Sequence, residues 1–147
     1  MQIYNIDLYE YFNLERPTGA EGYLRTYVLN GYYNRPNRTR PAILIFPGGG
    51  YRYRSEREDE PIAVKFLEQG YNAFILDYSL TPVSYPTQLI ESAMAVAYVR
   101  ENAKELGVNP EMIGAIGFSA GGHLCAMIST MFEENVVKDA LKEKEDR

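Results

Sequence analysis

The chain has 147 residues, the size of one ordinary domain, and can bury a core without a metal or disulfide to hold it. Its formal charge is −5, from 15 Lys and Arg against 20 Asp and Glu, so it offers no basic field to a phosphate backbone. One cysteine, Cys125, excludes an internal disulfide framework, and no window holds the roughly eighteen apolar residues of a membrane helix.

Residues 2 to 9 predict a short strand, with turns marked by Pro17, Gly19 and Gly22. GYLRTYVL, residues 22–29, predicts a second strand from its β-branched and aromatic residues, and the two are expected to pair antiparallel at one side of a sheet. NRPNRTR, residues 34–40, is an exposed loop whose arginines read as solvated rather than as a nucleic-acid patch. AILIF, residues 42–46, is continuously apolar, as in a strand covered on both faces. Glu60 to Gln69 carries Ile62, Ala63, Phe66 and Leu67 at helical spacing, with Gly70 placed to end the helix. AFILDY, residues 73–78, is another apolar strand. From Thr87 to Ala103 the stripe Leu89, Ala93, Val96 and Ala97 predicts a second helix, stopped by ELGVNPE. MIGAIGF, residues 112–118, is a fifth strand, and the chain should turn helical from Ser119. Three strand–helix alternations imply parallel strands with right-handed crossovers, hence an α/β three-layer sandwich with a mostly parallel sheet.

Such sheets place their sites beyond the C-terminal strand ends, and two glycine clusters fall there. Gly48-Gly49-Gly50 follows one strand; Gly117-Phe118-Ser119-Ala120-Gly121 follows another. Either could be a tight turn alone. A serine flanked by glycine at both second neighbours has a mechanical reason, however: only small residues allow the sharp bend that lifts its oxygen above the sheet. The N–H groups opening the next helix would face an oxyanion formed on attack. Neither cluster carries the lysine of a phosphate loop or the spacing of a dinucleotide fingerprint, so no nucleotide, cofactor or metal is expected.

These residues resemble the α/β-hydrolase esterases of the hormone-sensitive-lipase and acetyl-xylan-esterase-like groups, from about Leu24 onward. PGGGY, Pro47 to Tyr51, is similar to the family's H-G-G-G loop, with proline in the histidine's place. SEREDEPIA, Ser55 to Ala63, resembles the segment opening the first helix. DYSLTP, Asp77 to Pro82, resembles D-Y-R-L-A-P, with Ser79 for arginine and Thr81 for alanine. In YPTQLIES, Glu91 stands where aspartate is usual, and GVNPEMIGAIGFSAGGHLCA resembles the signature around the nucleophile. The resemblance implies Ser119 as nucleophile, with Ala120 N–H and the Gly49 and Gly50 backbone as oxyanion donors. It places Tyr51 at the pocket mouth, where it would orient an acyl group or sugar ring, or simply pack at the surface.

A serine hydroxyl needs a base at hydrogen-bond distance. His123, the sole histidine, lies four residues on in the helix body and reads as structural, its ring hydrogen-bonded on one side and packed on the other. The triad order in this fold is Ser, then Asp or Glu, then His. After Cys125 the sequence offers MISTMF and a charged stretch, with Phe132, Val136, Ala140 and Leu141 near helical spacing. Asp139, Asp146 and the glutamates there read as solvated, not as a triad acid. Residues 1–147 are therefore expected to be the N-terminal portion of one α/β-hydrolase domain. MIGAIGF would then be an open sheet edge, and a homodimer or companion chain is expected to cover it.

The expected activity is carboxylic-ester hydrolysis through an acyl-enzyme, on acetylated carbohydrates or other small esters. A peptidase or amidase of the same fold, or a non-catalytic binding module, remain the alternatives. The expected setting is soluble and cytoplasmic: a lone cysteine fits a reducing compartment, and MQIYNIDLYEYF lacks the basic and apolar regions of a signal peptide.

Overall fold

The computed structural model describes residues 1–142 and contains one five-stranded mixed sheet. The strands are β1 (Gln2–Asp7), β2 (Tyr23–Val28), β3 (Arg40–Phe46), β4 (Asn72–Asp77) and β5 (Val108–Gly117), and they lie in the order β1-β2-β4-β3-β5. β1, β2 and β4 pair antiparallel in turn, as expected for the first two strands, while β4, β3 and β5 run parallel.

Period-two alternation divides each central strand between two cores. Ala42, Leu44 and Phe46 of β3, with Phe74 and Leu76 of β4, face a large cluster built with Leu89, Met94, Val99 and Leu124. Ile43, Ile45, Ala73 and Ile75 face the opposite side. There α2 (Glu60–Glu68) covers them with Ala63, Ile62, Phe66 and Leu67, the predicted stripe. α1 (Leu8–Phe12), α3 (Thr87–Glu101), α5 (Ala120–Met131) and α6 (Asn135–Ala140) contribute buried residues to the first side, which makes the three layers.

Several boundaries differ from the sequence expectation. β1 stops at Asp7, because the Asp7 carboxylate accepts the Glu10 N–H at 3.2 Å and caps α1, whose Leu8, Tyr9 and Phe12 are buried. α3 ends at Glu101, where the Asn102 side chain donates to the Tyr98 carbonyl, and the four-residue α4 (Ala103–Leu106) follows. The buried face of α3 is also broader than its predicted stripe. Ser92, Met94, Ala95, Tyr98 and Val99 are buried, whereas Val96 and Ala97 are only partly so, because α1, α5, α6 and β5 all pack on it. α4 closes on Gly107 at φ 66, the expected stop. β5 nevertheless begins at once, at Val108. Between the pairs Arg40–Val108 and Ala42–Ile113 it takes five residues to match two on β3, so the predicted turn is an irregularity inside a strand. In α6 the buried residue is Val137, and Phe132 lies outside the helix and is exposed.

β5 is an edge strand, as expected, with Glu111, Met112, Gly114 and Ala115 exposed. No helix among the described residues is long and apolar enough to cross a membrane.

Candidate active site

β5 ends at Gly117 and α5 starts at Ala120, so the chain reverses direction through Phe118 and Ser119. Ser119 takes φ 52 and ψ −117, a conformation that costs a non-glycine residue about 1–3 kcal/mol. The surroundings hold it there. Phe118 N–H donates to the Phe46 carbonyl at 3.1 Å, Gly121 N–H to Phe118 at 2.8 Å, and His123 N–H to Ser119 at 2.9 Å. A Cβ on Gly117 would lie 2.6 Å from the Gly121 carbonyl carbon, and one on Gly121 would lie 2.5 Å from that of Phe46. Glycine at both positions is thus a demand of close backbone approach. Ser119 itself is exposed.

The loop after β3 lies against this bend: a Cβ on Gly48 would be 3.1 Å from Ser119 Cβ. Its peptides are oriented through their carbonyls. Ser55 N–H donates to the Gly48 carbonyl at 2.8 Å; Arg52 and Tyr53 N–H donate to that of Gly49 at 3.0 and 3.3 Å. In a trans peptide the N–H points opposite to the carbonyl, so the Gly49 and Gly50 N–H groups are turned away from these donors. Neither finds an acceptor among the described residues. Gly49 at φ 139 and Gly50 at φ 62 allow this path, and Tyr51 continues it at φ 59. Upstream, the buried Tyr78 hydroxyl donates to the Pro47 carbonyl, and Gly48 N–H donates to Glu58 Oε2 at 2.8 Å. Burial, then the neighbouring Tyr51, pushes the Tyr78 phenol up to about 12, so it stays a donor.

Tyr51 packs edge-on against Tyr78, and its hydroxyl meets His123 Nδ1 at 2.8 Å. Both line a groove of about 430 Å³ with Val83, Leu89, Met127 and Met131. Ser119 and the glycines do not line it; the groove adjoins the bend through Tyr51 and His123. His123 is hydrogen-bonded as expected and its ring packs edge-on against that of Tyr51, 5.9 Å between centroids, although α5 turns the residue outward and leaves it exposed. No hydrogen bond joins Ser119 Oγ to an imidazole or carboxylate among the described residues. Asp139 is exposed and, among the described residues, its carboxylate meets Lys142 at 3.4 Å; Asp146 lies outside the described residues. Burial raises the Cys125 thiol, which keeps it in the protonated, weakly nucleophilic form.

Behind the loops, Ser79, one of the two departures from D-Y-R-L-A-P, touches Glu91, which stands where aspartate is usual. Ser79 donates to Glu91 through N–H at 2.7 Å and Oγ at 2.6 Å, and Tyr9 OH donates to Glu91 at 2.8 Å. The longer carboxylate thus reaches the shorter serine, in a fully buried site. Burial raises the Glu91 carboxyl, against the lowering effect of these donors. Asp77, two residues before Ser79, is gripped by Arg25 at 2.9 Å and Arg54 at 3.2 Å.

Glu58 and Tyr78 are the site residues that sequence reasoning passed over. Both sit inside recognised segments, SEREDEPIA and DYSLTP, but nothing in their spacing shows that they bracket the Pro47–Gly48 peptide.

The family model BD-FAE matches residues 31–147. The chain belongs to the BD-FAE family. Among solved structures, this BD-FAE chain is similar to MGS-M1, an α/β hydrolase enzyme from a Medee basin deep-sea metagenome library. The identity is 43% and the TM-score 0.74, covering 84% of this chain and 49% of the other. An acetyl ester-xyloside bifunctional hydrolase from Caldicellulosiruptor lactoaceticus is 31% identical with a TM-score of 0.76, covering 90% and 50%. An acetylxylan esterase of Xylanibacter ruminicola is 36% identical over 96 residues, 65% of this chain and 20% of that protein. The chain therefore spans about half of those two solved structures and about a fifth of that esterase.

Proposed function

We propose that this chain carries the nucleophile half of a serine carboxylic-ester hydrolase. The observation that carries the proposal is Ser119, exposed on a strained bend between two obligatory glycines and beside a glycine loop whose Gly49 and Gly50 N–H groups meet no acceptor among the described residues. Ser119 Oγ would attack the ester carbonyl and lose its proton to a base. Ala120 N–H, at the first helical position, and the Gly49 and Gly50 N–H groups would stabilise the resulting oxyanion. Collapse would expel the alcohol with a proton, leaving an acyl group on Ser119 that water then removes. The apolar groove beside Tyr51 and His123 would take the non-reacting part of the substrate.

The solved xyloside hydrolase and the acetylxylan esterase support acetylated carbohydrate among the small esters. No described residue bonds the Ser119 hydroxyl, and the chain spans about half of the two solved relatives, so we assign the acid and base to the part of the domain that the described residues do not include. The open edge of β5 is the surface we assign to a second copy or companion chain.

The test is labelling with a fluorophosphonate probe, alongside p-nitrophenyl acetate hydrolysis, on wild type and Ser119→Ala. Without its base the site should still accelerate hydrolysis about 10³–10⁴-fold over water, the residue left in serine proteases stripped of their triad. Labelling should vanish in Ser119→Ala, whereas this residual rate, which comes from the oxyanion donors and binding, should persist there. Equal labelling of the two proteins, or hydrolysis no faster than in water, would refute the assignment and favour a binding module.

A further inference from the structure

We propose that Glu58 is a positioning residue that sets the aim of the Gly49 and Gly50 N–H groups through the Gly48 backbone. The proposal rests on the reading of that loop as an oxyanion site, and it gives a function to a carboxylate which that reading does not use.

Glu58 belongs to a three-residue turn, Glu56–Glu58, whose other two side chains are exposed while Glu58 is partly buried. Its Oε2 accepts the Gly48 N–H at 2.8 Å. The same turn holds the other end of this residue: Ser55 N–H donates to the Gly48 carbonyl at 2.8 Å, and Glu58 N–H donates to Ser55 at 3.0 Å. Gly48 is therefore clamped at both polar groups by one short segment. One peptide earlier, Tyr78 donates to the Pro47 carbonyl, so both polar groups of the Pro47–Gly48 peptide are also occupied. With two consecutive peptide planes held, the next N–H, that of Gly49, has a fixed direction.

The clamp sits beside the serine. A Cβ on Gly48 would be 2.7 Å from Glu58 Oε2, 2.6 Å from the Phe118 carbonyl oxygen and 3.1 Å from Ser119 Cβ. Glycine at position 48 leaves the space in which carboxylate and serine bend approach each other. Without Glu58, Gly48 loses one of its two tethers, and a glycine-rich loop has no side-chain packing to replace it.

The experiment uses ¹⁵N-glycine-labelled protein, wild type, Glu58→Ala and Glu58→Gln, with amide spectra and p-nitrophenyl acetate kinetics on the same samples. Glu58→Ala should expose the Gly48 N–H to fast hydrogen exchange and move the Gly49 and Gly50 resonances. It should also slow the residual hydrolysis carried by the oxyanion donors about 10- to 100-fold, in kcat rather than KM, as expected for donors misplaced by a fraction of an ångström to an ångström. Glu58→Gln keeps a carbonyl oxygen for Gly48 and should recover most of both signals. Unmoved Gly49 and Gly50 resonances in Glu58→Ala, or a Glu58→Gln protein as impaired as Glu58→Ala, would overturn the proposal. Wild type that hydrolyses the ester no faster than water would sink the hydrolase reading alone, and the glycine resonances would still decide whether Glu58 sets the loop.

Discussion

Gly121→Ala should damage this fold far more than one methyl group ordinarily does. The added Cβ would lie 2.5 Å from the Phe46 carbonyl carbon and closer still to the Phe46 and Pro47 carbonyl oxygens. Carbon atoms pack at about 3.5–4.0 Å, so α5 and the end of β3 must separate by about 1 Å. All the opposing atoms are backbone and cannot swing aside as a side chain would. Overpacking of this kind costs about 3 kcal/mol, the upper end for core insertions. For a chain of this length that predicts a fall in Tm of about 6–12 °C, read by circular dichroism. Gly31→Ala is the control, because nothing lies within 4 Å of its Cβ and its φ is unexceptional; it should match wild type or exceed it slightly. If Gly121→Ala melts within about 2 °C of wild type, the close approach of elbow and β3 does not hold the bend, and the account of Ser119 fails with it.

Asn72 is buried and joins two elements, accepting from Leu29 N–H and donating to the Leu106 carbonyl, both at 2.8 Å. Asn72→Ala strands both partners and should lower stability by about 2–4 kcal/mol in urea denaturation; a loss under about 0.5 kcal/mol would mean water replaces it. Glu91 has its folded-state pKa raised, chiefly by burial. Its contribution is therefore full below the ordinary carboxylate range and is lost as pH rises through the elevated value. The stability of wild type relative to Glu91→Gln should accordingly fall from pH 4 to pH 8, and a difference that grows with pH would contradict the assignment. Met112, half exposed on the edge of β5, tests the covering chain. Sedimentation velocity should show wild type self-associating and Met112→Lys shifted toward monomer, whereas a wild type that stays monomeric at high concentration would remove the second copy.

The layout of this domain was readable from short-range pattern. AILIF and the AFIL that opens AFILDY announce buried parallel strands because every position is apolar, and the structure places them side by side. The G-F-S-A-G bend was readable because its requirement is local: two neighbours small enough for a backbone reversal. Boundaries were less legible where a tertiary contact decides them. Asp7 ends a strand by capping a helix whose buried residues pack in the core, and β5 starts early because β3 lies beside it.

Sequence alone determined the strand–helix order, the two glycine clusters and the single histidine. Each is a property of residues within a few positions of one another. Only the tertiary structure decided that Glu58 holds Gly48 ten residues away, that Tyr51 engages His123 across 72, and that Ser79 and Glu91 share a buried site with Tyr9. A side chain's partner depends on which surfaces the sheet order brings together, and that order is set by the burial of the whole core rather than by any stretch of chain.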